Sequence, residues 1–293
     1  MTVEKVLTSA VRLRKIKDQF WGTDDSRSVH FPTDFHARLA DAEDTSFWFG
    51  HRNEIIGLMV SRFPPAGPIV DIGGGNGFVA RGLKQRGIAS IVLEPDEIGA
   101  SIAHQRGLPV IRAAFSRDLF RECSLDAVGL FDVVEHIPDD VAFLSDCRYT
   151  LRPGGLMYLT VPASPSLWSS DDDFAKHCRR YTHRSLAELL HKAGFEPVVL
   201  TYFFSLLVIP VYLLRTLGSQ LGLRRVTTAD DAVAHHAGKS GISDLASACL
   251  SFEVSALKAG MRLPFGTSLV AVARKPSRLA IDPITILSPP CSP

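Results

Sequence analysis

Short apolar runs alternate with segments of helical periodicity along most of the chain after about residue 66. The segments between the runs repeat apolar residues every three or four positions and predict helices at 77–86, 97–106, 139–151 and 184–193. Strands and helices in alternation are typical of a parallel, doubly wound α/β sheet. The apolar runs that predict its strands are 68–72, 91–93, 110–112, 125–131, 157–161, 197–203 and 267–274.

The regions on either side of this alternation predict additions to the core. The first 64 residues show no clear alternation, and within them an amphipathic helix is expected to start near Phe47. About sixty residues separate the last two predicted strands, and they include a polar stretch at 224–241 and a predicted helix at 242–260. The proline-rich end is expected to be disordered. The predicted units are a helical extension (1–64), a core (65–202), a helical insertion (203–263), a final core strand (264–275) and a tail (276–293).

The join between the first predicted strand and its helix is rich in glycine. The strand ends with Asp71 and Ile72, and Gly73, Gly75 and Gly77 follow at alternate positions. Strand, glycine turn and helix in this order build a nucleotide-type site, because glycine tolerates positive φ and lets a ligand lie against the backbone. A dinucleotide site has the spacing G-x-G-x-x-G. Phe78 stands where that last glycine would be, so the spacing disfavours a dinucleotide.

Composition narrows the class of protein. The 293 residues are 46% hydrophobic and carry a formal charge of +1, which is enough apolar material for a large core and too little charge to grip a nucleic acid. The five cysteines are odd in number and scattered, and no pair has C-x-x-C spacing, which argues against a disulfide framework or a zinc site. Residues 1–17 are charged and lack the apolar core of a signal peptide, so a cytoplasmic location is expected.

The segment from Tyr202 to Leu214 is almost entirely apolar. It is shorter than the roughly 20 residues that a bilayer span needs, and Pro210 interrupts it. We expect it to be a buried core or lid helix. Peripheral contact with a membrane surface and an apolar wall for a bound molecule are the alternatives.

The glycine turn resembles motif I of class I S-adenosylmethionine-dependent methyltransferases, through the pattern D-x-G-x-G-x-G that starts at Asp71. A second element, F-D-V-V-E-H-I at 131–137, resembles the segment after strand four in ubiquinone-biosynthesis-type and related small-molecule methyltransferases. It is followed by L-R-P-G-G at 151–155, another recurring element of that group. The resemblance covers about 45–202 and 264–275, and it implies a Rossmann-like sheet of seven strands whose last strand is antiparallel beside the sixth.

This resemblance implies S-adenosylmethionine as the cofactor and S-adenosylhomocysteine as the product. Glu94, at the end of strand two, would accept hydrogen bonds from both ribose hydroxyls. Arg52 would pair with the methionine carboxylate and the aromatic Trp48 would cover the sulfonium, with plain core packing of the aromatics as the alternative. The implied cofactor-binding residues are Trp48, Arg52, Asp71, Gly73, Gly75, Asn76, Gly77, Phe78, Glu94, Pro95, Ala114, Phe115, Phe131, Asp132 and Val133.

The candidate catalytic residues lie in two loops. His136 follows strand four and is either a general base or a helix-start residue that positions the loop. The loop 171–181 resembles a stretch that closes over the acceptor in this group, where His177 and Tyr181 would hold or deprotonate a nucleophile. The alternative is a structural clasp, in which the arginines of this loop pair with the acids at 171–173. We expect no metal, because no clear second and third ligand surround His136 and adjacent loop carboxylates are usually solvated.

The sequence therefore predicts an enzyme that transfers a methyl group from S-adenosylmethionine to a small molecule. An apolar or secondary-metabolite-like acceptor is expected, with oxygen slightly favoured as the methylated atom. An NAD-dependent oxidoreductase and a non-catalytic S-adenosylmethionine-binding protein are the alternatives. We expect a monomer or homodimer with no nucleic-acid partner.

Overall fold

The computed structural model describes residues 3–11, 13–23, 39–40, 43–44, 46–222 and 250–277. The polar stretch 224–241, the start of the predicted helix 242–260 and the tail beyond 277 lie outside the described residues. Within the described residues, no helix has both the length and the apolar character needed to cross a bilayer.

One mixed sheet forms the centre of the described structure. Its strands lie in the order β1-β2-β5-β4-β3-β6-β7-β9-β8. The inner strands β5, β4, β3, β6 and β7 run parallel, and β9 is antiparallel to both of its neighbours. The predicted α/β class and the antiparallel last strand beside β8 are therefore confirmed. The strands are β1 (Arg14–Lys17), β2 (Phe20–Gly22), β3 (Ile69–Ile72), β4 (Ser90–Leu93), β5 (Val110–Arg112), β6 (Leu125–Phe131), β7 (Leu151–Pro162), β8 (Glu196–Phe203) and β9 (Ser268–Arg274).

The strand number corrects the sequence prediction, which was seven. The two additional strands, β1 and β2, form an antiparallel hairpin in the N-terminal extension, where only helical or irregular structure was expected. β2 pairs in parallel with β5, with Phe20 opposite Val110. The side chain of Phe20 is buried against the sheet, and this burial together with the pairing holds the short hairpin in place.

Helices cover both faces of the sheet. Two of them start where a polar side chain accepts a hydrogen bond from the first turn: Asp96 for the helix that begins at Glu97 and Thr182 for the helix that begins at His183. The main helices are α1 (Val3–Ser9), α2 (Phe47–Arg62), α3 (Phe78–Gln85), α4 (Glu97–Gln105), α5 (Asp140–Thr150), α6 (Ser170–Phe174) and α7 (His183–Lys192).

The core is divided by the sheet, because successive side chains of a strand point to opposite faces. Ile69 packs with Ile55 and Met59 of α2 on one face, whereas Val70 and Ile72 belong to the cluster on the other face. The parallel strands are buried on both faces, as β3 and β6 are over their whole length. Ligands of open α/β sheets bind at the carboxyl edge of the strands, and the loops after β3, β4 and β6 meet there.

The predicted insertion begins directly after β8. A short helix α8 (Val208–Val211) continues into a π-helical segment (Tyr212–Leu217) and then into α9 (Gly218–Gln220). Further on, residues 250–258 form α10, which packs on the same face as α2.

Phe203 and Phe204 at the start of the predicted apolar segment are buried, but no residue from 205 to 214 is, which corrects the expectation of a buried helix. Ile209 is 70% exposed and Leu214 is 71% exposed. Leu206, Tyr212 and Leu213 are also exposed, and we call these five residues the apolar face. These five hydrophobic side chains, all between residues 206 and 214, are therefore left in contact with solvent.

Candidate active site

The glycine turn after β3 has a backbone that only glycine adopts easily. Gly73, Gly75 and Gly77 all have positive φ, at 69°, 51° and 72°. A Cβ on Gly73 would lie 2.9 Å from a methyl carbon of Val133, in the loop after β6. The turn therefore leaves no room for a side chain on Gly73, with Val133 opposite it, and we call this glycine turn the cradle.

Asp71 lies at the base of this cradle and is only 1% exposed. Its Oδ2 atom has no hydrogen-bond partner among the described residues. Burial raises the pKa of Asp71 to about 7, the charge of Arg52 opposes this shift, and the charge of Glu94 adds to it. A buried carboxyl with an unsatisfied oxygen fits a ligand that carries a cationic amine, as the methionine part of S-adenosylmethionine does.

Glu94 connects the turn to the next strand. One carboxylate oxygen accepts a hydrogen bond from the Gly75 amide at 2.8 Å, and the other accepts from the Asp96 amide at 2.8 Å. Each oxygen of an ionised carboxylate has two acceptor positions, so Glu94 can hold the turn and also accept from a diol. Its place agrees with the ribose-binding role that the resemblance implies.

Two residues of α2 were predicted to face this region. Arg52 forms an ion pair with Asp132 in which the closest nitrogen and oxygen are 2.7 Å apart, and its side chain is 12% exposed. Trp48 stacks on Phe204 with ring centroids 3.9 Å apart, so the ring is part of the aromatic core. The structure therefore agrees with the packing alternative for Trp48 and places Arg52 among the site acids.

The remaining predicted cofactor residues differ in their placement. Asn76 is buried at the turn, where its amide group hydrogen bonds to Glu43. Phe78 starts α3, and its carbonyl accepts from the Asn53 side chain. Phe115 packs against Phe143. Pro95 and Ala114 are partly buried after β4 and β5, whereas the Phe131 ring is 6% exposed and packs into the core.

The loop after β6 and the loop after β7 are bound to each other. The amide of Cys178 donates to the carbonyl of Glu135 at 2.7 Å. This contact brings the rings of His136 and His177 together, with their centroids 4.8 Å apart. The two predicted catalytic histidines, 41 positions apart in the sequence, are thus neighbours.

Burial sets the protonation of this cluster. Burial lowers the pKa of His136 to about 4, and the charge of His177 adds to the effect. Burial also raises the pKa of Glu135 well above its usual range, as does the charge of Asp132. His136 is therefore a neutral imidazole at pH 7.

The arginines and the tyrosine of the 171–181 loop form a clasp. Arg179 pairs with Asp140 at 2.6 Å, and Arg180 pairs with the buried Asp172 at 2.7 Å. The hydroxyl of Tyr181 donates to Asp140 at 2.9 Å, and burial raises the pKa of Tyr181. Tyr181 is consequently a structural residue in this arrangement, which corrects its assignment as a catalytic one.

Two residues of this region were missed by the sequence analysis. Asp172 was taken for a solvated surface acid, but its Oδ1 lies 2.8 Å from Nδ1 of His177. Glu135 was given no role beyond its place in the segment 131–137, but its carboxylate lies beside both histidines. The reason given for expecting no metal, that His136 lacks neighbouring ligands, is therefore wrong. A run of acids gives no sequence signal that one of them is buried.

Comparison with known proteins identifies relatives for this site and fold. Residues 45–200 match the family model described as a methyltransferase domain. A "probable S-adenosylmethionine-dependent methyltransferase" of Mycolicibacterium smegmatis is 29% identical over 167 residues, which are 52% of this chain and 61% of that protein. A ubiquinone biosynthesis O-methyltransferase of Rhizobium rhizogenes is 34% identical over 99 residues, or 32% of this chain and 40% of the relative. The chain thus spans less than two thirds of these curated relatives.

Solved structures agree on the fold. A chain from the complex of the Haloferax volcanii Trm112 methyltransferase activator with a methyltransferase superposes with a TM-score of 0.54. It is 18% identical, and the match covers 84% of this chain and 96% of that one. Haemonchus contortus phosphoethanolamine N-methyltransferase 2, bound to phosphomonomethylethanolamine and S-adenosylhomocysteine, gives a TM-score of 0.52 at 16% identity over 84% of this chain and 58% of that one.

Proposed function

We propose that this chain, which belongs to the methyltransferase domain family, transfers a methyl group from S-adenosylmethionine to a small-molecule acceptor. The observation that supports this most directly is the glycine cradle beside the unsatisfied carboxyl of Asp71. When bound, S-adenosylmethionine supplies an electrophilic methyl carbon that an acceptor lone pair attacks opposite the sulfur. The protein contributes mainly proximity and orientation to such a displacement.

The residues around the cradle have distinct parts in this function. Asp71 accepts from the cationic amine of the cofactor, and this contact provides the partner that its Oδ2 lacks. Glu94 holds the turn through Gly75 and accepts from the ribose hydroxyls. Arg52, already among the acids of the site, provides the positive charge for the methionine carboxylate.

The acceptor is proposed to be apolar and to be methylated on oxygen. The two histidines favour oxygen, because a hydroxyl must lose its proton before or during transfer, whereas a neutral amine already offers a lone pair. The ubiquinone O-methyltransferase relative supports the same choice over its shorter match. His136 and His177 are the residues that we assign to activation of the acceptor.

The experiment uses cofactor carrying an isotopic label on its methyl group. The full chain is incubated with metabolite extracts, and labelled products are identified by mass spectrometry. A Gly75→Val variant is the control, because its side chain would occupy the cradle. A labelled small molecule that forms with the wild-type protein alone supports the proposal. Tight binding of NAD without binding of S-adenosylmethionine would refute it in favour of an oxidoreductase.

We also propose that the apolar face meets a lipid surface, which suits an enzyme whose acceptor is apolar. Five large apolar residues are exposed within nine positions of the chain, and clustered exposed apolar residues mark interaction sites more often than scattered ones do. The apolar face lies directly after β8, which is at one edge of the sheet and far from the N-terminal hairpin at the other edge.

A further inference from the structure

We propose that Glu135, His136 and His177 form a binding site for one divalent transition-metal ion. Each of these side chains offers one ligand atom, and the three atoms lie within 4.8 Å of one another. In a tetrahedral site with bonds of about 2.1 Å, ligand atoms are roughly 3.4 Å apart, so small side-chain rotations bring these three into range. The role of the ion in activating the acceptor rests on the proposed function, whereas the binding of the ion does not.

The carboxylate of Glu135 gives the first independent reason. Glu135 is 1% exposed, and its Oε2 atom has no hydrogen-bond partner among the described residues. A buried, unsatisfied carboxylate oxygen is costly to leave without a partner. A bound cation at the histidines would provide that partner and would offset the effect of burial on the charged form.

The contact between His177 and Asp172 gives the second reason. Nδ1 of His177 lies 2.8 Å from Oδ1 of Asp172, which directs the other nitrogen, Nε2, away from Asp172. Arg180 fixes the Asp172 carboxylate in turn, with a nitrogen 2.7 Å from the same oxygen. A carboxylate that orients a histidine in this way is typical of metal ligands, because it fixes the tautomer and makes the ligand nitrogen more basic.

The backbone brings the ligands together without the ion. His136 and Glu135 lie in the turn after β6, and the Cys178 amide ties the His177 loop to that turn by its bond to the Glu135 carbonyl. The His136 ring also hydrogen bonds to the backbone of Ala175 and Lys176 in the same loop. The site is therefore held from both loops.

The donor set selects the class of ion. Two imidazoles and one carboxylate suit Zn²⁺, Mn²⁺, Fe²⁺ or Co²⁺, whereas Ca²⁺ and Mg²⁺ prefer oxygen ligands. Three protein ligands leave at least one position open. An acceptor hydroxyl that binds there has a lowered pKa, so its proton leaves to solvent and its oxygen keeps the electron pair that attacks the methyl carbon.

The test uses the full chain, without a histidine tag, after removal of metals with a chelator. Co²⁺ is titrated while its visible spectrum is recorded, and Zn²⁺ is then added as a competitor. Glu135→Gln, His136→Ala and His177→Ala remove one ligand each. His191→Ala is the matched control, because His191 is exposed on α7. Binding of S-adenosylmethionine by each variant, measured by calorimetry, checks that the fold is intact.

We expect the wild-type protein and the His191 variant to bind one equivalent of Co²⁺ and to release it to Zn²⁺. The three ligand variants should bind Co²⁺ more than about 100-fold more weakly and still bind S-adenosylmethionine. A wild-type spectrum that does not change, or equal binding in all variants, would overturn the site. If the metal-free protein methylates its acceptor at full rate, the role in activation is wrong and the proposed function remains. Co²⁺ binding without any binding of S-adenosylmethionine would refute the proposed function and leave the metal site intact.

Discussion

Asp71 and Glu94 show how two neighbouring carboxyl groups can be buried in different ways. Both oxygens of Glu94 accept hydrogen bonds from backbone amides, whereas Oδ2 of Asp71 has no such partner within the described structure. Glu94 therefore stabilises the free protein through the turn, while the charged form of Asp71 is costly until a cationic ligand arrives. Asp71 is therefore tested through the pH dependence of stability, and Glu94 through the affinity for S-adenosylmethionine.

The Asp71→Asn variant should change how stability depends on pH. The folded-state pKa of about 7 lies above the usual value of 3.8, so ionisation of Asp71 costs the wild-type protein stability as the pH rises from about 4 to 7. The variant has no such loss, and its free energy of unfolding should gain on that of the wild type by at most about 2.5 kcal/mol between pH 5 and pH 8, because most of the change falls in the two pH units below the folded-state pKa. Urea unfolding of both proteins across this range measures the difference.

Asp118→Asn is the control for the loss of one negative charge, because Asp118 is exposed. Its stability should follow that of the wild type across the range. Parallel profiles for wild type and Asp71→Asn would show that Asp71 is not the buried, unsatisfied acid described above.

Glu94→Ala should weaken binding of S-adenosylmethionine. The variant loses the acceptor of the Gly75 amide together with the proposed ribose contact, and hydrogen bonds to a charged group are worth about 1.5–3 kcal/mol, or roughly 10- to 150-fold in affinity. Calorimetry measures the change. Glu97→Ala, which removes a carboxylate that is 79% exposed on the next turn, should bind as the wild type does. Equal affinity in both variants would contradict the cofactor site.

At the scale of elements, the sequence predicted those strands whose position depends on the local pattern of apolar and polar residues. The predicted strands at 110–112 and 125–131 coincide with β5 and β6, because each is a largely buried run that ends at or just before a polar residue. β1 was missed because all four of its side chains are exposed, so it shows no alternation of apolar and polar residues. It is held by its pairing with β2, which in turn pairs with β5. β7 starts at Leu151 instead of 157, because Gly154 and Gly155 hydrogen bond to Lys275.

The residues of the candidate site divide in the same way, into those predicted from local sequence and those that only the fold brings together. Asp71 and the glycines were predicted because a single motif carries them, and Glu94 because it ends the next strand. The partners of His177 were not predicted. Asp172 contacts it from α6, and Glu135 lies near it in the turn after β6. Contacts of this kind depend on how loops cross at the sheet edge, which spacing along the chain does not encode.

Removal of Glu253 should release α10 from the sheet. Its carboxylate accepts from the amides of Phe204 and Ser205 and lies 2.8 Å from Nε2 of His51, so it joins α10, α2 and the end of β8. Glu253→Ala leaves buried donors without an acceptor and should destabilise the protein by about 3–5 kcal/mol in thermal or urea unfolding. Ser255→Ala, an exposed change on the same helix, should have little effect.

A double-mutant cycle with His51→Ala extends this test. If the two residues act as one buried pair, the effects of the single changes should add to more than the effect of the double change. Additive effects would show that His51 and Glu253 stabilise the fold independently.

At the scale of the whole molecule, the apolar face predicts association with lipid. The wild-type protein should float with phospholipid vesicles in a density gradient, and the double variant Leu206→Asp with Leu213→Asp should remain at the bottom, because both side chains are 53% exposed. Ile16→Asp is the control, an exposed apolar residue at the opposite edge of the sheet. Failure of the wild-type protein to float, or flotation of the double variant, would refute the lipid contact.

The position of β9 between β7 and β8 governs how the sheet is assembled. In the described structure, β8 hydrogen bonds to the sheet only through β9, although it precedes β9 by more than sixty residues. β8 therefore cannot pair directly with β7, the strand before it in the chain. It can join the sheet only after β9 has paired with β7, which requires closure of a long loop and slows folding. Until then the edge of β7 presents unpaired amides and carbonyls that can pair with another chain. Refolding should accordingly be slow, with a yield that falls as the protein concentration rises.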